Sequence, residues 1–280
     1  MRNGRIGVVV LTLSLVLAST ARAGAGSGSD PAPNASKFPD PVHIDNKWFP
    51  LVPGSQYVFE GRINQGNTPV DHRVVFTVTG LTKVIDGVRT RVLWDRDFDT
   101  GVLAESEITF HAQDRDGNVW NFGEYPEQYR NGKLRGAPDT WIAGVERSAA
   151  GIVMPGNPTV GTPSYLQGFS PTIGFGDKAK VFKTGQSDCV PVGCFDNVLV
   201  TNEWSVGQRG AFQLKYYAAG IGGTRVGFSG DDPTQEILVL ISIRHLTPAE
   251  LAKLDDSALR LDHRAYTVAP DMYGHTPPAK

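Results

Sequence analysis

The chain has 280 residues, with 27 lysines and arginines against 29 aspartates and glutamates, a formal net charge of −2 and six histidines. That balance argues against a nucleic-acid binder, which needs a basic stripe, and it selects no partner on charge alone. The length suffices for one large β domain or two modest ones.

Arg2 and Arg5 form a positive n-region, and residues 6–18 form an apolar run too short to span a bilayer comfortably. Ala21-Arg22-Ala23 then gives the small-x-small pattern of a signal-peptidase site. Residues 1–23 are therefore expected to be a signal peptide, directing a secreted or periplasmic protein with no membrane span after cleavage. Removal of three arginines leaves 24 basic against 29 acidic residues, a net charge of −5. No cysteine lies near the cleavage point, so no lipid anchor is expected there. Residues 24–41 are rich in Gly, Ser, Ala and Pro and read as a flexible leader. A single β-rich domain is expected over residues 42–265, followed by a tail at 266–280.

Strand periodicity begins at Tyr57-Val58-Phe59 and continues over residues 72–79, where Val74, Phe76 and Val78 share a face. Asp86-Gly87 signals a tight turn. In the next hairpin Val88, Thr90, Val92 and Trp94 share one face with Val102, Ala104, Ser106, Ile108 and Phe110. A three-residue loop, Asp99-Thr100-Gly101, puts Val92 opposite Ile108 and Trp94 opposite Ser106. The other face, read as outward, then carries Arg89 opposite His111, Arg91 opposite Thr109 and Asp95 opposite Glu105, with Glu107 nearby. Asp95 opposite Glu105 is a like-charge pair, which signals either a shifted register or a bound cation.

Residues 114–117 turn into a strand at 119–122. The glycine- and proline-rich middle, residues 124–173, is expected to hold short strands around Trp141 and residues 152–154, because a structureless loop that long is improbable. Strands return at 179–190, 195–204, 212–218, 224–228 and 236–243. Leu238 and Leu240 break the alternation of the last, which suggests a strand covered on both faces. Its cover is expected to be a helix at about 248–263, opened by Thr247-Pro248-Ala249-Glu250, a capping box with proline at the first helical position. Leu251, Leu254, Ala258 and Leu261 form its apolar stripe. Cys189 and Cys194 are the only cysteines. In an oxidising compartment a disulfide is the default reading, closing a short loop worth roughly 2 kcal/mol. Two free thiols or a partial metal site are the alternatives.

Several fragments occur together: residues 48–54 (WFPLVPG), 113–124 (QDRDGNVWNFGE), 151–155 (GIVMP), Val190-Pro191 with Gly193 and Phe195, and Lys215-Tyr216-Tyr217-Ala218 with Gly220 and Gly222. In this combination the chain resembles an uncharacterised family of secreted bacterial β-rich proteins. The resemblance implies one continuous domain over about 42–244 and brings no catalytic residue and no ligand. The cysteine pair departs from the family pattern.

No motif fixes a reaction. Asp95, Asp97 and Asp99 alternate, but an EF-hand loop from Asp95 would need glycine at Thr100 and a bidentate acid at Ser106. Asp114, Asp116, Gly117 and Asn118 suit a tight turn. His43 with Asp45, Asp71-His72 and Asp262-His263 lack metal spacing, so no metal or cofactor is assigned. Ser229 lacks a nucleophile elbow, and residues 220–223 lack the helix of a dinucleotide site. Two sets remain as weak candidates. His111, Glu105 and Glu107 are the candidate catalytic groups, with a solvated surface of charge pairs as the alternative. Trp120, Phe122, Tyr125, Trp141 and Met154, with Tyr129 close by, are candidates for the mouth of an apolar cavity, with ordinary core packing as the alternative.

The expected fold is mainly β: a curved antiparallel sheet, incomplete barrel or sandwich with one C-terminal helix. Three functional readings stay open. The first is an exported binding protein for a small apolar ligand or an envelope partner. The second is a hydrolase or other envelope enzyme using His111. The third is a structural or interaction protein without a pocket.

Overall fold

The computed structural model describes residues 34–280 apart from residue 209, so the signal-peptide reading and most of the leader lie outside the described residues. Fourteen strands run β1 (Ser55–Gln65), β2 (Thr68–Ile85), β3 (Val88–Asp99), β4 (Val102–Gln113), β5 (Val119–Arg130), β6 (Lys133–Gly136), β7 (Trp141–Ile142) and β8 (Ala149–Met154). The series continues with β9 (Tyr165–Ser170), β10 (Phe175–Val190), β11 (Gly193–Ser205), β12 (Ala211–Ala218), β13 (Gly222–Gly230) and β14 (Ile237–His245). Helices α1 (Pro248–Val268) and α2 (Pro270–Tyr273) follow.

Twelve of the strands close on one another. β1 through β5 pair in sequence, β5 pairs β8, β8 through β14 pair in sequence, and β14 returns to β1, every pairing antiparallel. The result is a closed barrel rather than an open sheet, and closure satisfies the edges that an incomplete barrel would expose. β6 and β7 attach to β5 outside this circuit.

The β3–β4 hairpin corrects the sequence reading twice. Its loop is two residues, Thr100 and Gly101, both at positive φ (49° and 78°), and a bulge follows between Asp97 and Phe98. Arg91 therefore faces His111, Trp94 faces Ile108, Asp95 faces Glu107 and Asp97 faces Glu105. A shift of two residues preserves which side chains share a face. The sides themselves are reversed: the apolar set packs outward beneath the C-terminal helix, and the polar set lines the barrel interior. Alternation gives two faces without saying which looks inward, and here both are covered.

The outer core contains Val92, Ile108, Phe110, Phe122 and Tyr125 of the wall together with Ala258, Leu261, Ala265 and Tyr273 of the helical segment. Helix α1 begins at the capping box expected for it, with Glu250 N donating to Thr247 Oγ1 and Thr247 N donating to Glu250 Oε2 at 2.8 Å. It packs on β2 and β4 instead of covering β14, whose Leu238 and Leu240 point into the lumen. It also runs on to Val268, and the residues read as a tail are docked: Lys280 exchanges backbone hydrogen bonds with Thr82 at 2.8 and 2.9 Å. At the other terminus Phe38, within the stretch read as a leader, is buried against Trp120 and Phe122.

One barrel end is plugged. Ile44, Phe49 and Leu51 enter the lumen and pack with Phe76, Val78, Leu93, Met154, Leu199 and Tyr217. Asn46 holds the plug in place, taking Trp48 N on its Oδ1 and donating its Nδ2 to Gly117 O and Pro155 O. The disulfide Cys189–Cys194 joins facing residues near the tip of the β10–β11 hairpin at the same end.

Candidate functional site

Two features of the interior have chemical character, a carboxylate-lined stretch and an apolar cleft. The first lies toward the mouth opposite the plug. Asp95, Asp97, Glu105 and Glu107 project from β3 and β4 as two facing like-charge pairs, each residue under 5% exposed. Asp177 on β10, Glu203 on β11 and Glu236, just before β14, are buried as well. Burial pushes Asp95 and Glu236 up to about 7 and Asp177 up to about 8. Burial first, and then the neighbouring acids, hold Asp97, Glu105 and Glu107 well above the ordinary carboxyl range. Asp95 Oδ1, Asp97 Oδ2 and both carboxyl oxygens of Glu107 find no hydrogen-bond partner in the protein.

His72 was read from the sequence as part of an ordinary Asp-His pair. It is 3% exposed, with Nδ1 at 2.8 Å from Asp99 Oδ1 and Nε2 at 3.5 Å from Glu236 Oε1. Burial works to lower its pKa, but the Asp99 hydrogen bond and the charges of Glu236, Asp99 and Asp95 outweigh it and the value is raised. Gln213 Nε2 donates to the other oxygen of Glu236.

His111 behaves differently. It lies next to the plug, its ring centroid 5.8 Å from that of Phe49, and burial drives its pKa down to about 3. Its Nδ1 is 3.4 Å from Thr109 Oγ1 and its Nε2 has no partner. It shares a face with Glu105 and Glu107 but makes no hydrogen bond to either carboxylate.

The aromatic set is divided by the barrel wall. Phe122 and Tyr125 are fully buried in the outer core, whereas Trp141 pairs with Glu124 and stacks on Phe175 at 5.2 Å. Trp120 is half-buried at its edge and donates Nε1 to Asp114 Oδ2, whose carboxylate is otherwise taken by turn donors. Met154 lies inside, in the cluster around the plug. These five therefore do not gather around one cavity mouth.

The apolar cleft lies elsewhere, between the plug, β1 and the β12–β13 hairpin. It is lined by Phe49, Tyr57, Phe59, Tyr217, Ile221 and Val226 among others, with about 520 Å³ of free space counting its open mouth. That space is narrow, a slot rather than a chamber. The seam beside it is short. β13 pairs with β14 at two positions, Arg225↔Val239 and Val226↔Leu238, while β14 stays paired with β1 as far as His245.

Lys215 is the buried charge on this lining, 3% exposed, and its Nζ lies 3.0 Å from Glu203 Oε2. That approach is an ion pair without hydrogen-bond geometry, so the ammonium protons have no acceptor in line. Thr201 Oγ1 donates to Glu203 Oε1 at 2.8 Å. Arg225, at the rim, is engaged by Asp188 Oδ1 at 2.8 Å and by Cys189 O at 2.9 Å. The sequence reading missed Lys215 and Glu203. Their signal was a charge alternating with Gln213 and Tyr217 on a strand whose other face, Phe212, Leu214 and Tyr216, is apolar.

No helix among the described residues is long and apolar enough to cross a membrane. No family model matches the chain, and no curated protein matches it. Among solved structures it is similar to a candidate lipoprotein from Parabacteroides distasonis ATCC 8503, at 12% identity and a TM-score of 0.38, covering 71% of this chain and 100% of that one. It is also similar to a candidate exported protein with a YmcC-like fold from Bacteroides fragilis NCTC 9343, at 14% identity and a TM-score of 0.37, covering 71% and 99%. Likeness at that level carries no functional argument.

Proposed function

We propose that this chain is an exported binding protein that takes a slender apolar molecule into the cleft between the plug and the β12–β13 hairpin. The observation that carries the reading is an apolar slot beneath a seam held by two residue pairs. A narrow slot whose wall can part suits a single chain or a flat ring better than a bulky ligand. The N-terminal sequence pattern and the disulfide both support an extracytoplasmic setting. The aromatic residues first considered for binding are core residues under this reading.

The rival enzymatic reading needs His111 to exchange a proton with a carboxylate. A neutral imidazole packed on Phe49, with Thr109 as its polar neighbour, does not favour it.

Gly223 offers a direct test. A side chain there would point at Phe59, with the nearest atom 3.8 Å from its first carbon. Gly223→Leu is expected to fill the slot without strain. An environment-sensitive apolar fluorophore such as N-phenyl-1-naphthylamine should brighten with the wild type and stay dark with Gly223→Leu, whose thermal unfolding should be unchanged. Equal brightening in both proteins, or none in the wild type, would count against the cleft and leave a purely structural role standing.

A further inference from the structure

The lining of the cleft is mostly apolar, and of its two charged residues, Lys215 and Arg225, Lys215 lacks a hydrogen-bond acceptor in line. Its Nζ is itself buried, 3.0 Å from Glu203 Oε2. A buried ammonium in this state costs free energy until an acceptor reaches it. Resting on the cleft reading, we infer that the ligand is a single apolar chain carrying a neutral hydrogen-bond acceptor, such as an ester or amide carbonyl, seated head-inward against Lys215.

Charge decides between neutral and anionic heads. Glu203 already stands 3.0 Å from Lys215 and balances it. Asp177 and Glu236 also lie within reach of the Lys215 field. A carboxylate head would place a second anion on a buried lysine already paired, and would have to shed its own hydration. An ammonium head would face Lys215 itself. A carbonyl oxygen accepts from Nζ without adding charge, and the chain behind it contacts Phe59, Tyr217 and Val226. Arg225 at the rim does not compete for the head, because Asp188 and Cys189 O hold it.

The experiment is a displacement series on the intact protein. The fluorophore is loaded, then competed with decane, methyl decanoate, decanoate and decylamine. The ester should displace it at roughly one-tenth the concentration needed for the alkane, the scale of one hydrogen bond to a charged donor. Decanoate and decylamine should both be weaker than the ester. Lys215→Met combined with Glu203→Gln removes both charges together, and should bring the ester and the alkane to equal potency while the fluorophore still binds. The wild-type series decides the matter even if that variant fails to fold. Equal displacement by ester and alkane in the wild type, or displacement strongest with decanoate, overturns the assignment of the head while leaving the cleft intact. Absence of fluorophore binding in the wild type sinks the cleft itself and this inference with it.

Discussion

Lys83 shows how one polar side chain can fasten a terminal segment to the barrel. It is 1% exposed, and its Nζ donates to Asp262 Oδ1 at 2.9 Å, Tyr266 Oη at 3.0 Å and Pro277 O at 2.7 Å, with the Tyr273 ring centroid 4.2 Å away. Asp262 is completely buried and also accepts from Tyr273 Oη and Ala279 N. Lys83→Met leaves that carboxylate without its cation, and is expected to cost about 3–5 kcal/mol, the usual penalty for breaking a buried pair from one side. Chemical denaturation would check it, and a loss below about 1 kcal/mol would mean that Asp262 is sheltered by its other donors. The sequence showed Asp262-His263 as an adjacent pair of no consequence. Nothing local signals that Asp262 meets a lysine 179 residues away.

The C-terminal helix is the element that the sequence specified best at its start and least well in its position. Its capping box and its apolar stripe, with Ala258 and Leu261, lie where they were expected, because both depend on residues a few positions apart. Its docking on β2 and β4 depends on which face of the β3–β4 hairpin looks outward, and a period of two is silent on that. The turns divide in the same way. Asp86-Gly87 forms the tight turn expected of it, with φ of 48° and 75°. Thr100-Gly101 does the work assigned to three residues, since threonine is an unusual first residue for such a turn. Removing residues 247–280 would uncover Val92, Ile108, Phe110 and Tyr125. The truncated chain is expected to aggregate or to bind apolar dyes over its outer wall, measured by light scattering and dye fluorescence. A monodisperse product with unchanged melting would show that the helix is dispensable.

For the molecule as a whole, closure turns a row of acids that reads as surface into a lumen, and pH dependence follows. Asp95, Asp97, Glu105, Glu107, Asp177 and Glu236 hold protons in the folded state that the unfolded chain has released. Stability therefore falls as pH rises from about 4, the ordinary carboxyl range, through the folded values near 7 and 8. His72, raised by Asp99 and Glu236 against its burial, adds in the same direction: its contribution is complete below about 6.5 and is lost as pH climbs through its folded value. Melting temperatures should thus be highest under mildly acidic conditions and decline toward pH 8. Glu107→Gln should raise the alkaline value and leave the acidic one nearly unchanged. A profile flat from acid to alkaline would show that these acids ionise freely in the fold.

The cleft draws on all three scales, from the unsatisfied Lys215 ammonium to the short β13–β14 seam and the plug that closes one end of the barrel. Native mass spectrometry of wild type and Gly223→Leu, purified side by side from an exporting host, tests its occupancy most directly. The wild type should carry a small apolar adduct that organic extraction removes and Gly223→Leu lacks. A bare mass for the wild type, or the same adduct on both proteins, would contradict a ligand in this slot.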